Sequence, residues 1–309
     1  MFLICGEALF DVFTQSPQGD AIPMLARPGG SPFNVAIGLS RLGSPSALLG
    51  GLSRDMLGQH LAGILRREGV CADYLIARDE RTTLSLVALD AQGVPHYTFY
   101  GEHSADRALE VADLPALGAD VHGLHVGSYT LVAEPTASTL LRLVTQARGE
   151  RLISLDPNIR PTVEPDMARW RSRVGAVAAQ ADLIKVSEED LGLLYPGEPV
   201  EAAARRWLDG GTQLVVVTLG AEGALGFSGQ AQTRVAGRPV TVADTVGAGD
   251  SFQAALLHQL PDRAALEAAA AEAQAMQRLL TFAATAAGIT CSRPGADPPT
   301  HTQVLDALG

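Results

Sequence analysis

Leu214, Val215, Val216 and Val217 stand side by side in "QLVVVTLG" at 213–220, with nothing polar between them. Successive residues of a strand face opposite sides, so a strand with one wet face alternates in polarity. An unbroken apolar run has to be covered on both faces. "FLICG" at 2–6 and "SALLGGL" at 46–52 carry the same requirement, and further strand patterns follow at 120–127, 151–156 and 181–187. Helical patterns at 33–42, 55–68, 134–148 and 166–180 alternate with them. This predicts an α/β fold, a mostly parallel sheet with helices on both sides. At 309 residues and 47% hydrophobic content, the chain has material for one such domain, or for a large domain with a small appendage.

One segment breaks the rhythm. Residues 82–101 hold two strand-like runs around a DAQG turn, with no helix between them. Together with residues 11–22 they predict a small sheet off the main one, its aromatics Tyr97, Phe99 and Tyr100 covering a pocket. An ordinary hairpin at the sheet edge is the other reading, and composition favours it.

The net charge of −11 argues against a general nucleic-acid binder, although one local nest of amides can still hold an anion. Cys5, Cys71 and Cys291 are far apart and form no CxxC, which predicts neither a disulfide framework nor a cysteine zinc site. A reducing, cytoplasmic setting is expected. "MFLICGEALFDV" has no basic lead and is interrupted by Glu7 and Asp11, so it reads as a first strand and not as an export signal. "LLTFAATAAG" at 279–288 is too short to span a bilayer and predicts a buried helix face. No HExxH or other metal-ligand cluster stands out.

In an open α/β sheet, ligands gather beyond the C-terminal ends of the strands. Asp11, "RPGGSPFN" at 27–34, "SLDPNIRP" at 154–161, "VTLGAEG" at 217–223 and "DTVGAGDSF" at 244–252 fall in five loops on that side. In the last of these, Gly247 and Gly249 permit a tight path. The amides of Ala248, Gly249 and Asp250 can then converge at a helix N-terminus and attract phosphate oxygens. Asp250 would stand within reach of a hydroxyl, as a base aligned with a γ-phosphate. It reads equally well as an N-cap, and at that place its pKa should be low. No GK[ST] ending marks a P-loop, and the first strand lacks the GxGxxG of a dinucleotide-dependent dehydrogenase.

"PGGSPFNVAIGLSRLG" at 28–43 and "DTVGAGDSF" at 244–252 resemble the two signature segments of the ribokinase-like (PfkB) carbohydrate kinases. The resemblance runs from "GEALFD" to "GADPP". Within the family it is strongest to bacterial fructokinases, through "GEALFDV", "GGSPFN", "TTLSLVALD", "SLDPNIRP" and "KVSEEDL". It implies a ribokinase-like three-layer kinase domain over residues 1–309, with a nine-stranded core and a small β lid of about residues 11–27 and 81–104. It also implies ATP with Mg2+ as cofactor and a homodimer contact through the lid, with no nucleic-acid or membrane partner.

Carried over by motif, Asp250 resembles the catalytic base, Gly247, Ala248 and Gly249 the anion hole, and Arg160 the arginine that reaches the transferred phosphoryl. A surface salt bridge is the plain alternative for Arg160. Asp11, Gly29, Gly30 and Asn34 match positions that hold the sugar, with Asn158 and Tyr100 as further candidates. Taken singly, Asn34 is also a helix cap and Gly29–Gly30 a turn. The nucleotide side would draw on Thr218, Gly220 and Gly223, with Lys185 and Ser187 bordering it. Ala283 and Ala287 would leave room for the adenine, or simply form a packing face. Many relatives carry NxxE where this chain has "SEED", which puts Ser187 and Asp190 in place of Asn and Glu. Magnesium is therefore expected through waters, with no direct Asp190 ligand. Asp244 and Val246 match the place of a K+ site, while a plain turn cap also explains Asp244.

The expected acceptor is an uncharged ketohexose, fructose phosphorylated at O6, because Arg27, Arg81 and Arg107 form no basic cluster for a sugar phosphate. The alternatives are a 2-keto-3-deoxygluconate kinase using Arg107 or Arg160 and, in a different class, a non-catalytic sugar-binding regulatory protein.

Overall fold

The computed structural model describes residues 1–89 and 95–309; the DAQG turn and the side chain of Tyr97 lie outside the described residues. The strands are β1 (Phe2–Cys5), β2 (Leu9–Thr14), β3 (Met24–Gly29), β4 (Ser46–Ser53), β5 (Leu75–Arg78), β6 (Leu84–Leu89) and β7 (Pro95–Tyr100). They continue as β8 (Gly123–Gly127), β9 (Leu152–Asp156), β10 (Leu183–Ser187), β11 (Leu214–Thr218), β12 (Ala224–Phe227) and β13 (Gln232–Val235). The helices are α1 (Ser31–Arg41), α2 (Met56–Arg67), α3 (Thr136–Ala147), α4 (Met167–Ala178) and α5 (Glu188–Leu194). After them come α6 (Val200–Asp209), α7 (Ala248–Gln259), α8 (Arg263–Ala271), α9 (Ala273–Cys291) and α10 (His301–Leu308).

Among the described residues the main sheet has nine strands, in the order β13-β12-β11-β10-β9-β8-β1-β4-β5. Pairings from β5 to β11 are parallel, and β12 and β13 add antiparallel. The run at 214–217 is resolved as its composition requires. Leu214 and Val216 join the core on one face and Val215 and Val217 the core on the other, all fully buried. Each such burial contributes about 1.5–3 kcal/mol relative to exposure. Helices α1, α2 and α7 to α9 supply the first core, and α3, α4 and α6 the second. Strands β5, β12 and β13 are additional to the expected elements; β5 and β13 are the sheet edges, and β13 is half exposed and lacks the apolar continuity of the central strands.

A second sheet, in the order β3-β2-β6-β7, holds the segment that broke the rhythm. It is a separate four-stranded sheet and not a hairpin on the main one. Its root is fastened by Asp106, which accepts from Thr83 Oγ1 at 2.5 Å and from Tyr129 Oη at 2.6 Å. No helix among the described residues is long and apolar enough to cross a membrane.

Strand order fixes where a ligand can enter. From β1 the sheet grows one way through β4 and the other way through β8, so the crevice between their C-terminal ends is a switch point.

Candidate active site

Helices α1 and α7 cross closely where a Cβ on Gly38 would stand 2.8 Å from Ala254 Cβ. One turn back on each helix, Asn34 and Asp250 face one another. Asn34 Nδ2 donates to Asp250 Oδ2 at 2.8 Å, and Ser31 Oγ donates to Oδ1 at 2.6 Å. Neither Asn34 nor Asp250 caps its helix. Gly30 is the N-cap of α1 and Gly247 that of α7, which leaves both side chains free for each other.

Gly247 sits at φ +77°, where L residues are strained, and a Cβ there would come within 2.5 Å of Ala296 Cβ. The Ala248 amide closes the turn on Thr245 O at 3.3 Å. First-turn geometry leaves the Gly249 and Asp250 amides as the uncommitted donors, a smaller nest than the three expected. Asp244 fastens the same turn, accepting from Val246 N at 3.1 Å and from Gly295 N at 2.8 Å.

Two cavities meet at this turn. One, of about 550 Å³, is lined by Asp11, Asn34, Asn158, Arg160, Lys185 and Asp250, and also by Gly30, Val246 and Gly247. Ser85 of β6 and Phe99 of β7 bring the small sheet into its wall. The other, of about 600 Å³, is lined by Thr218, Gly220, Gly223, Ala248 and Ala287. Thr245 and Gly249 line both, so the turn is the partition between them. Asn158 adopts φ +40°, a region asparagine tolerates, in the loop that also carries Arg160.

Burial pushes the Asp250 carboxyl above its ordinary range, against the lowering effect of Ser31, Asn34 and Lys185. This runs opposite to the low value expected from the helix terminus, because the carboxyl is enclosed. Asp11 is raised for the same reason, opposed by Ser85 and Arg160. Glu7, buried at the end of β1, is pushed up to about 7 by burial. If Asp250 must be ionised for turnover, activity should fall as pH drops through its raised pKa. The acid limb of kcat/KM is expected above pH ~4, the ordinary aspartate value, and a pH–rate profile flat down to that value would contradict this.

Several expected residues lie elsewhere. Lys185 is on the Asp250 side and not by the second cavity, because β10 ends beneath the turn. Ser187 caps α5, accepting from Asp190 N at 3.0 Å, and Asp190 Oδ1 accepts from Ile159 N at 3.0 Å, holding the Arg160 loop. Ala283 is fully buried in the core; its helix turns Ala284 and Ala287 to the cavity instead. Tyr100 is 61% exposed and points away from the cavity that Phe99 lines, as alternation along β7 dictates. Gly29 lies against Asp11 Oδ2 without lining the cavity, and a side chain there would displace that carboxylate. Sequence reasoning missed Ser31 and Glu7. Ser31 lay inside a quoted motif, but nothing in the sequence pairs it with a residue 219 positions away. An acidic residue directly after an all-apolar strand was the available signal for Glu7.

The pattern of the pfkB family carbohydrate kinases matches residues 14–303. The chain belongs to that family. A fructokinase of Rhizobium leguminosarum bv. trifolii is 39% identical over 260 residues, covering 84% of this chain and 79% of the relative. Among solved structures, a Xylella fastidiosa fructokinase with bound ATP superposes with a TM-score of 0.92 at 28% identity, covering 99% of this chain and 97% of the other. A Vibrio cholerae O395 fructokinase with fructose, ADP and calcium bound gives 0.85 at 29% identity, covering 100% of this chain and 98% of the other. The expected ribokinase-like three-layer architecture, with its nine-stranded core and additional small sheet, is the one observed.

Proposed function

We propose that this pfkB-family kinase transfers the γ-phosphoryl group of ATP to O6 of free D-fructose. The observation that carries the reading is the shared wall: Gly249 lines both cavities, and Asp250 follows it with its carboxylate on the smaller side. A nucleotide in the larger cavity would bring its terminal phosphate to the uncommitted amides of Gly249 and Asp250. A sugar hydroxyl in the other would meet Asp250, which takes the proton as the oxygen attacks. Asp11 and Asn34 pair with further hydroxyls, Asn158 adds another polar contact, and Arg160 at the rim offers the transferred group a cation. Thr218, Gly220 and Gly223 shape the nucleotide side, where Ala284 and Ala287 suit a flat base.

The small sheet would act as a lid, keeping water from the transfer. Exposed Ile22, Met24 and Leu25 on and beside β3 offer apolar area for a homodimer through it. Bound magnesium would neutralise phosphate charge. Such an ion would be carried by the nucleotide's phosphates and by waters. Asp244, fastening the turn with both oxygens, stands where a K+ would share the 244–246 backbone.

The cavity favours a neutral polyol. Glu7, Asp11 and Asp250 face it, and of the arginines considered for a sugar acid only Arg160 lines it; Arg107 lies over the Tyr129 ring instead. A coupled ADP-release screen across fructose, 2-keto-3-deoxygluconate, ribose, mannose and fructose 1-phosphate tests this. Fructose is expected to lead in kcat/KM by about tenfold or more, the margin that one well-placed polar contact supplies. Equal or faster turnover of 2-keto-3-deoxygluconate would replace the substrate. No ADP release with any sugar would favour the non-catalytic reading.

A further inference from the structure

Lys185 belongs to a central strand whose neighbours Ile184 and Val186 are fully buried, and it is itself only 4% exposed. Its Nζ donates to Asp156 Oδ2 at 2.8 Å, while Asp156 Oδ1 is buried without a partner among the described residues. A buried pair left incomplete in this way is a poor stabilising device, since an apolar pair of similar volume would avoid the desolvation cost. Gly249 supplies the second observation. It lacks the positive φ that makes Gly247 necessary, yet a Cβ there would stand 3.1 Å from Lys185 Nζ. The second glycine of "GAGD" thus lets the ammonium approach the turn backbone.

Resting on the kinase reading, we propose that Lys185 is a positioning residue for the transfer step: Asp156 seats its ammonium beneath the 247–250 turn, where it balances the negative charge that the phosphate and Asp250 bring together. The surroundings need such a charge. Asp250 is faced by Asp156 from β9 and Asp11 from β2, with Ser31 and Asn34 of α1 as neutral donors and Lys185 of β10 as the cation. Arg160, the other cation on this cavity, is exposed at its rim. A polyanion arriving at Gly249 would otherwise drive the Asp250 carboxylate toward its protonated, inactive form.

The test compares Lys185→Met, Asp156→Asn and the double variant by thermal melting, steady-state kinetics and the pH profile of kcat/KM. Lys185→Met alone strands a buried carboxylate and should melt early; the double variant removes both charges and should melt near the wild type. In the double variant kcat is expected to fall about 100-fold, with sugar KM within about threefold, as for loss of one fixed charge in the transition state. Its acid limb should stay close to wild type, because losing Lys185 raises the Asp250 pKa while losing Asp156 lowers it, whereas Lys185→Met alone should move the limb up. Asp156→Asn, which keeps the ammonium but loosens its seat, should lose less kcat than the double variant. A double variant with wild-type kcat, Lys185→Met with a wild-type acid limb, or Asp156→Asn as impaired in kcat as the double variant, would reduce Lys185 to a structural residue. Wild-type protein that releases no ADP with any sugar would overturn the kinase reading itself.

Discussion

Asp250→Asn is expected to lower kcat about 1000-fold while leaving sugar affinity within about threefold, the signature of losing a general base. The substitution is nearly isosteric. An asparagine oxygen can accept from Asn34 Nδ2, now at 2.8 Å from Oδ2, and its amide can donate to Ser31 Oγ after the hydroxyl rotates. The bonds that lock α7 to α1 therefore survive, and the burial that raises the Asp250 pKa no longer opposes folding. Melting temperature should stay level or rise. What would disappear, on the proposed reading, is the site that receives the hydroxyl proton. ADP release measured beside calorimetric sugar binding separates the two effects, and near-normal turnover would reject Asp250 as the base.

Gly247→Ala should be nearly as damaging by a different route. An alanine at φ +77° costs about 1–2 kcal/mol in backbone strain, and its Cβ would stand 2.5 Å from Ala296 Cβ and 2.8 Å from Ala296 Cα. Backbone cannot rotate away as a flexible side chain would, so the turn and the 292–299 loop must separate. Asp244 joins those same segments through Val246 and Gly295, and the displacement would therefore move the start of α7. A misplacement of about 1 Å at a reacting centre costs about 100-fold, and a fall of that size is expected in kcat/KM for both substrates. Gly43→Ala is the control. Gly43 has φ +91° with nothing within 4 Å of the added Cβ, so it should lower the melting temperature without changing turnover. Wild-type kinetics in Gly247→Ala would show that the turn's shape is dispensable.

The central sheet was legible because its strands are buried on both faces. Val215 and Val217 had to be covered as fully as Leu214 and Val216, whatever lay around them. Edge strand β13 lacks that signal, since an exposed edge places little constraint on side chains, and β12 is a buried four-residue ALGF, too short to show it. In the site, the glycine turn and Asp250 could be read from local spacing. Ala283 could not, because the choice between cavity and core turns on one helical step, which the alanine-rich stretch does not mark. Lys185, expected to border the nucleotide side, lines the cavity with Asp250; which cavity a strand end faces depends on how the layers stack.

By itself, the sequence determined the layered architecture and the need for a tight turn before α7, because burial periodicity and glycine stereochemistry act over a few residues. Only the tertiary structure decided the partners: Ser31 and Asn34 for Asp250, Asp156 for Lys185, and one wall for two cavities. Those contacts join residues far apart in the chain, and the charge balance they set depends on distance and enclosure, which no local spacing encodes.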